Sequence, residues 1–158
     1  MLYYRRIFRE QDEMKQLALI VDACEKYEDE LPAALAELKP PAGRIETVQT
    51  RIAGITAENY SRLQDLEIIL QHVTNMEDRR LMNKAKYYKE NYQRDLSDRM
   101  CEKYADVHDE VQEIRSIRFY VAHVRNQFLS VSKGLEVMHY QIGNLTKLRA
   151  VGLDDATF

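Results

Sequence analysis

The chain has 158 residues, 45% of them apolar and 31% charged, with five Gly, three Pro, two Cys and a formal net charge of −3. That size argues for one modest domain, and the composition excludes collagen-like, disulfide-stapled and low-complexity chains. The apolar run Leu17 to Val21 is too short for a membrane span or a signal-peptide core, so a cytoplasmic chain without membrane contact is expected.

The chain opens with an aromatic and basic cluster, Tyr3-Tyr4-Arg5-Arg6-Ile7-Phe8-Arg9, which reads either as an arm that grips nucleic acid or a partner or as a terminus that is frayed or packed on a neighbour. An amphipathic helix is expected from Met14 through Leu17, Val21 and Cys24 to Tyr27 or Leu31. Its outer face is acidic. From Glu10 to Leu38 nine acids stand against Lys15 and Lys26, a net of −7. Pro32, Pro40, Pro41 and Gly43 then punctuate the chain, with a turn expected near Lys39 to Gly43. Residues 1–41 therefore read as an acidic N-terminal helical segment, and residues 42–158 as a long-helix hairpin.

No proline follows Pro41, and Glu, Gln, Leu, Arg, Lys and Ala abound, so the expected fold class is all-α. A first long helix is expected from about Arg44 to Arg94. Ile45, Val48, Ile52, Ile55 and then Leu66, Ile69, Val73 and Met76 keep steps of three and four residues, while Asn59 and Arg62 fill the intervening seam slots. Polar residues between Asp95 and Asp106 mark a second turn. In the last helix, Val107 to Ala150, the residues Ile114, Ile117, Val121, Val124, Phe128, Val131, Leu135, Met138, Ile142 and Leu145 follow one another at the same alternating steps. At 1.5 Å per residue this seam is a rod of roughly 48 Å that another long helix or another subunit must cover. Antiparallel long helices with coiled-coil-like packing, assembled into a homo-oligomer through these ten residues, are the expected architecture.

Catalytic patterns are missing. His72, His108, His123 and His139 show no two-ligand spacing, Cys24 and Cys101 form no Cys-x-x-Cys, and no Gly-rich phosphate loop or nucleophile elbow occurs. No enzyme activity, metal or cofactor is expected. The basic segment is more informative. From Arg79 to Arg94 six bases stand against Glu90 alone, a net of +5, and Tyr87, Tyr88 and Tyr92 interleave with them. Wound as a helix, Leu81, Ala85, Tyr88, Tyr92 and Leu96 share one stripe, which assigns Tyr88 and Tyr92 to the core. Arg80, Lys84, Tyr87, Asn91 and Arg94 share the opposite stripe. Cations that hold phosphates beside an aromatic ring that stacks a base are the elements of single-strand binding, and Arg79, Arg80, Lys84, Lys86, Tyr87, Lys89 and Arg94 are the candidate nucleic-acid residues. The competing reading is a solvated basic face, or a patch that docks the acidic N-terminal helix.

Lys84-Ala85-Lys86-Tyr87-Tyr88, at the end of the first helical region, resembles the Lys-Ala-basic element and paired aromatics of the UvsY group, the small recombination mediators of T-even-like bacteriophages. The later stretch is similar too: Ser130 or Ser132, Gly134-Leu135-Glu136-Val137, Gln141-Ile142-Gly143-Asn144 and Leu148-Arg149-Ala150-Val151-Gly152. The likeness covers about residues 60–152. The family tends to carry Gly soon after the paired aromatics, where this chain has Lys89-Glu90, and the acidic segment through Pro41 has no counterpart. The resemblance implies an oligomeric accessory protein of the host-cell cytoplasm that binds single-stranded DNA, with Lys84 and Lys86 as DNA-contacting bases. It would help load a RecA-like recombinase onto strands coated by a single-strand-binding protein. Four to six phosphate contacts would give a salt slope of roughly −3 to −4. The alternative is a coiled-coil structural or assembly protein with no nucleic-acid role.

Overall fold

Residues 2–39, 45–92 and 95–152 are described by a computed structural model, the side chains of residues 45 and 46 excepted. The fold is all-α: α1 is Tyr4–Arg9, α2 Glu13–Ala36, α3 Ile45–Asn91, α4 Asp98–Asp106 and α5 Asp109–Ala150. At 1.5 Å per residue, the 47 residues of α3 span about 70 Å and the 42 of α5 about 63 Å. No described helix is long and apolar enough to cross a membrane. Of the turn expected near Lys39 to Gly43, all but Lys39 lies outside the described residues.

Cross-helix bonds give the directions. Thr56 meets His139, Asn59 meets Ser132, Glu67 meets Arg125 and Lys84 meets Glu110, so α3 and α5 run antiparallel. Glu13 meets Arg80, Tyr27 meets Asp65 and Glu30 meets Arg62, so α2 is antiparallel to α3 and lies beside α5. Three helices thus close one core, in which Ile20, Tyr27, Leu66, Ile69, Val121 and Phe128 pack together. Ile7 of α1 and the buried residues of α2 belong to this same core. Past the end of α2, the hairpin continues as two helices around Val48, Ile52, Met138 and Ile142.

The ten-residue seam is real, and its cover is intramolecular. Ile114, Val121, Val124, Phe128, Val131, Leu135, Met138 and Ile142 are buried within one chain, and Ile117 and Leu145 are half-buried. Helices α2 and α3 occupy the side that was expected to face another subunit. Such a seam is spent on folding and is not an open assembly surface. Of the readings open for the N-terminal arm, the structure shows the packed one. A six-residue helix has no stability of its own, and α1 is held by Asp65 of α3. The Asp65 carboxylate accepts from the backbone N–H of Tyr3 at 2.8 Å and of Tyr4 at 3.1 Å, and from the Tyr27 hydroxyl at 2.6 Å. Tyr3 meets Tyr27 edge to face, with centroids 5.0 Å apart, and Ile7 is buried.

Two further differences concern helix ends. Pro32 does not stop α2, which runs on to Ala36. The expected turn from Asp95 to Asp106 contains α4, started by Ser97, whose hydroxyl accepts from the Met100 N–H, and folded back on α3 through buried Cys101 and Ala105. His108 then caps α5, its Nδ1 accepting from the Glu110 N–H.

Asp65→Ala would strand two backbone N–H groups and a hydroxyl, and is expected to cost about 3 kcal/mol or more in urea denaturation. A loss within roughly 1 kcal/mol would contradict the anchoring role. The helical glycines provide a second check. A Cβ at Gly54 or Gly143 meets nothing within 4 Å, so Ala there should stabilise by up to ~1 kcal/mol. At Gly134 the Cβ would lie 2.8 Å from Cδ2 of Leu38, and the displaced leucine should cancel that gain.

Candidate nucleic-acid interface

The last three turns of α3 present three different faces. Toward α5 and α2, the Arg80 guanidinium donates to Glu13 Oε1 at 2.7 Å and to the Glu110 carbonyl at 2.9 Å, with Glu113 at 3.9 Å. Only 14% of this side chain is exposed. Lys84 reaches Glu110 Oε1 at 2.8 Å and stands 6.0 Å from the Tyr87 ring centroid. These two cations, expected to hold phosphates, are already engaged by carboxylates of their own chain. Wound at 3.6 residues per turn, a helix carrying Arg80 and Lys84 cannot turn them from α5 without also lifting Tyr88 from α4.

Toward α4, Leu81, Ala85 and Tyr88 are half-buried. The Tyr88 ring meets Tyr87, Tyr104 and His108, with centroids 5.7, 5.6 and 6.3 Å away. Tyr92 differs from its expected core position. It stacks on Tyr104 at 5.9 Å with planes 19° apart, which covers one ring face, and it remains 49% exposed. Tyr87 is 55% exposed.

Away from the bundle, α3 presents Arg79, Met82, Asn83 and Lys86, all exposed. Arg79 donates to the Asn75 carbonyl one turn back, and no described carboxylate lies within 4.0 Å of it. Among the described residues, Lys86 meets only Glu90, at 3.8 Å on the same helix, a pair of little strength in water. Lys89 is held by Asp98 at the start of α4, a hydrogen bond that raises its pKa. Arg94 lies outside the described residues. The structure therefore divides the seven candidates: Arg79, Lys86 and Tyr87 are open, whereas Arg80, Lys84 and Lys89 are tied to acids.

Three relevant residues escaped the sequence reading. Arg99, Lys103 and Tyr104 belong to α4, and Ser97 followed by Asp98, with Cys101, Tyr104 and Ala105 at helical spacing, was the signal that could have located them. Arg99 and Lys103, together with Glu102 and Asp106, line a groove of about 650 Å3 between α3 and α4, whose apolar lining comes from Leu81, Met82, Ala85 and Val107.

Elsewhere the reactive groups have structural settings. His72 lies between Phe8 and Gln16, and its pKa is lowered by burial and by Arg79. Burial pushes the Cys24 thiol up to about 12, which leaves it protonated and unreactive. No group of three metal-ligating side chains occurs among the described residues.

The hydrogen bond from Lys84 holds the Glu110 carboxyl below the usual carboxylate range. A lowered folded-state value means that this contact contributes above the ordinary carboxylate pKa and is lost as pH falls through the folded-state value. Lys84→Gln should therefore return Glu110 toward the ordinary range in a side-chain carboxyl NMR titration. An unmoved titration would contradict the ion pair.

No protein-family model, no curated protein and no solved structure matches this chain.

Proposed function

We propose that the protein is a non-enzymatic single-stranded-DNA-binding protein whose contact surface is the solvent side of the α3 C-terminal turns. The observation that carries this reading is the pair of exposed rings, Tyr87 and Tyr92, beside Arg79 and Lys86, the described cations of this segment not held by another helix. A base stacked on an exposed ring gains about 1 to 3 kcal/mol without being read for identity, and the cations supply the phosphate contacts. Together with the resemblance to the UvsY group, this supports a recombination mediator that binds the strand onto which a RecA-like recombinase is loaded in place of a single-strand-binding protein.

A second reading, a helical assembly protein that contacts only other proteins, draws on a specific feature. The acidic α2 and the start of α5 neutralise Arg80 and Lys84 within the chain, as a docking patch would require.

Fluorescence anisotropy with labelled oligo-dT separates the two. With Arg80, Lys84 and Lys89 engaged, two to three phosphate contacts give a log-log salt slope of about −1.5 to −2, shallower than the unpaired segment would produce. The Arg79→Ala, Lys86→Ala double variant should weaken binding about tenfold at low salt, and Tyr87→Ala should weaken it by at least about fivefold. Glu13→Gln with Glu110→Gln, which removes the carboxylates that Arg80 and Lys84 meet at 2.7 and 2.8 Å, should tighten binding and steepen the slope. No binding by either wild type or the Glu→Gln variant would overturn the proposal in favour of the assembly protein.

A further inference from the structure

The candidate interface is one end of a longer surface. On the solvent side of α3, Ile68, Gln71, Asn75, Arg79, Met82 and Lys86 follow one another at steps of three and four residues, all exposed and none acidic. In a chain that is 31% charged, with 26 acids against 23 bases, the outer face of a long helix ordinarily mixes both signs. Here amides take their place. Gln71 Nε2 donates to Asn75 Oδ1 at 3.0 Å, which leaves Gln71 Oε1 to accept and Asn75 Nδ2 to donate. The nearest acids of α3 stand at the margins. Glu67 meets Arg125 at 3.3 Å and Glu90 meets Lys86 at 3.8 Å, while Asp78 falls about 60° round the helix from Asn75.

Exposed rings border this stripe below Tyr87. Phe8 of α1 is 49% exposed, and its ring lies 4.7 Å from that of His72. His72 precedes Arg79 by seven residues, which sets the two within about 20° of each other round α3. Arg79 adds to burial in lowering the His72 pKa, in keeping with that proximity. Exposed Arg5 and Arg9 share α1 with Phe8, and the Glu10 carboxylate after them is taken up by the N–H groups of Gln11 and Asp12. Further down, Tyr60 is 59% exposed and its hydroxyl accepts from Gln64 Nε2 at 3.0 Å. With Leu63, Gln64, Glu67 and Ile68 it lines a hollow of about 280 Å3. From Tyr87 to Tyr60 the stripe is about 40 Å long.

A surface that offers rings and neutral hydrogen-bonding groups, and keeps carboxylates off its centre line, fits a polyanion held by its bases as well as by its phosphates. A duplex is not held this way, because its bases are already stacked and paired. Building on the reading of α3 as a single-strand site, we propose that the bound strand follows the whole stripe, from Tyr87 past Phe8 to Tyr60. Phe8 and Tyr60 are then further stacking positions, and Gln71 and Asn75 bond to the strand between them. The Asp65 anchor gains a second role, since by holding α1 on α3 it sets Phe8 beside the stripe. At the roughly 3.4 Å rise of a stacked strand, 40 Å accommodates about twelve nucleotides, twice what the α3 end from Tyr92 to Arg79 would hold.

Anisotropy of the full chain with labelled oligo-dT of about six and about fifteen nucleotides tests the longer path. Phe8→Leu and Tyr60→Leu keep apolar bulk but remove the ring. Each should weaken binding of the longer strand at least about threefold and leave the shorter one, which the α3 end holds, within about twofold. Gln64→Glu with Gln71→Glu sets two carboxylates on the stripe and should weaken binding of the longer strand about tenfold. Asn126→Glu with Ser130→Glu adds the same charge on the exposed outer side of α5 and should cost no more than about twofold. Far-UV circular dichroism should be unchanged throughout. A wild type that binds neither strand overturns the single-strand reading itself, and this path with it. If the wild type binds and Arg79→Ala with Lys86→Ala weakens it, while neither ring substitution does so or the stripe pair costs no more than the α5 pair, the strand stays at the end of α3 and only the longer path is overturned.

Discussion

The arrangement of this bundle depends on one buried carboxylate. Asp65 sits in the middle of α3 with no solvent contact, and burying an ionised carboxylate costs several kcal/mol unless its oxygens are satisfied. Three donors satisfy them, one from α2 and two from the start of α1. Burial and the bond to Asp65 push the Tyr27 hydroxyl far above its ordinary range, so it stays protonated and keeps donating. A single side chain thereby fixes the rotation and height of both N-terminal helices on α3. Once α2 is set at that height, Glu13 falls level with Arg80, and the apolar side of α2 falls over the seam of α5. The electrostatics of the candidate interface, some 22 Å along α3, follow from where this anchor lies.

What was legible in the sequence was periodic, and what was not was tertiary. Steps of three and four residues identified the buried side of α5 almost residue for residue, because a helix repeats its faces without reference to its neighbours. Asn59 and Arg62 were visible as polar seam residues, and each serves as a cross-helix bond, Asn59 to Ser132 and Arg62 to Glu30. Periodicity states that a seam must be covered but not by what. The choice between a second subunit and α2 turned on contacts between residues such as Tyr27 and Asp65, which no local pattern links. Helix α4 was hidden for a different reason. Its nine residues carry five charges, and only Cys101, Tyr104 and Ala105 give it an inner face, so composition pointed to a loop.

The same limit applies to the candidate site. Local spacing reveals charge pairs four residues apart, whereas the partner of Arg80 lies 67 residues away. A net of +5 over sixteen residues overstated what a polyanion would meet, since Glu13, Glu110 and Asp98 return three of those charges to neutrality. The aromatic assignment shifted for a related reason. Helical geometry placed Tyr88 and Tyr92 on one stripe, but α4 is short and its Tyr104 covers only one side of Tyr92. The end of a bundle keeps rings exposed that the middle would bury.

Intrachain pairing also changes what the remaining charges can do. A cation held by a carboxylate must lose that partner before it can meet a phosphate, so it contributes only the difference between two contacts of similar strength. A cation with no partner on another helix keeps most of its attraction, since an exposed pair along one helix is weak in water. The open cations Arg79 and Lys86 lie on the side of α3 away from the bundle, and Arg99 and Lys103 lie across Met82 on α4. In the proposed function a strand follows Arg79 and Lys86, whose attraction no other helix offsets.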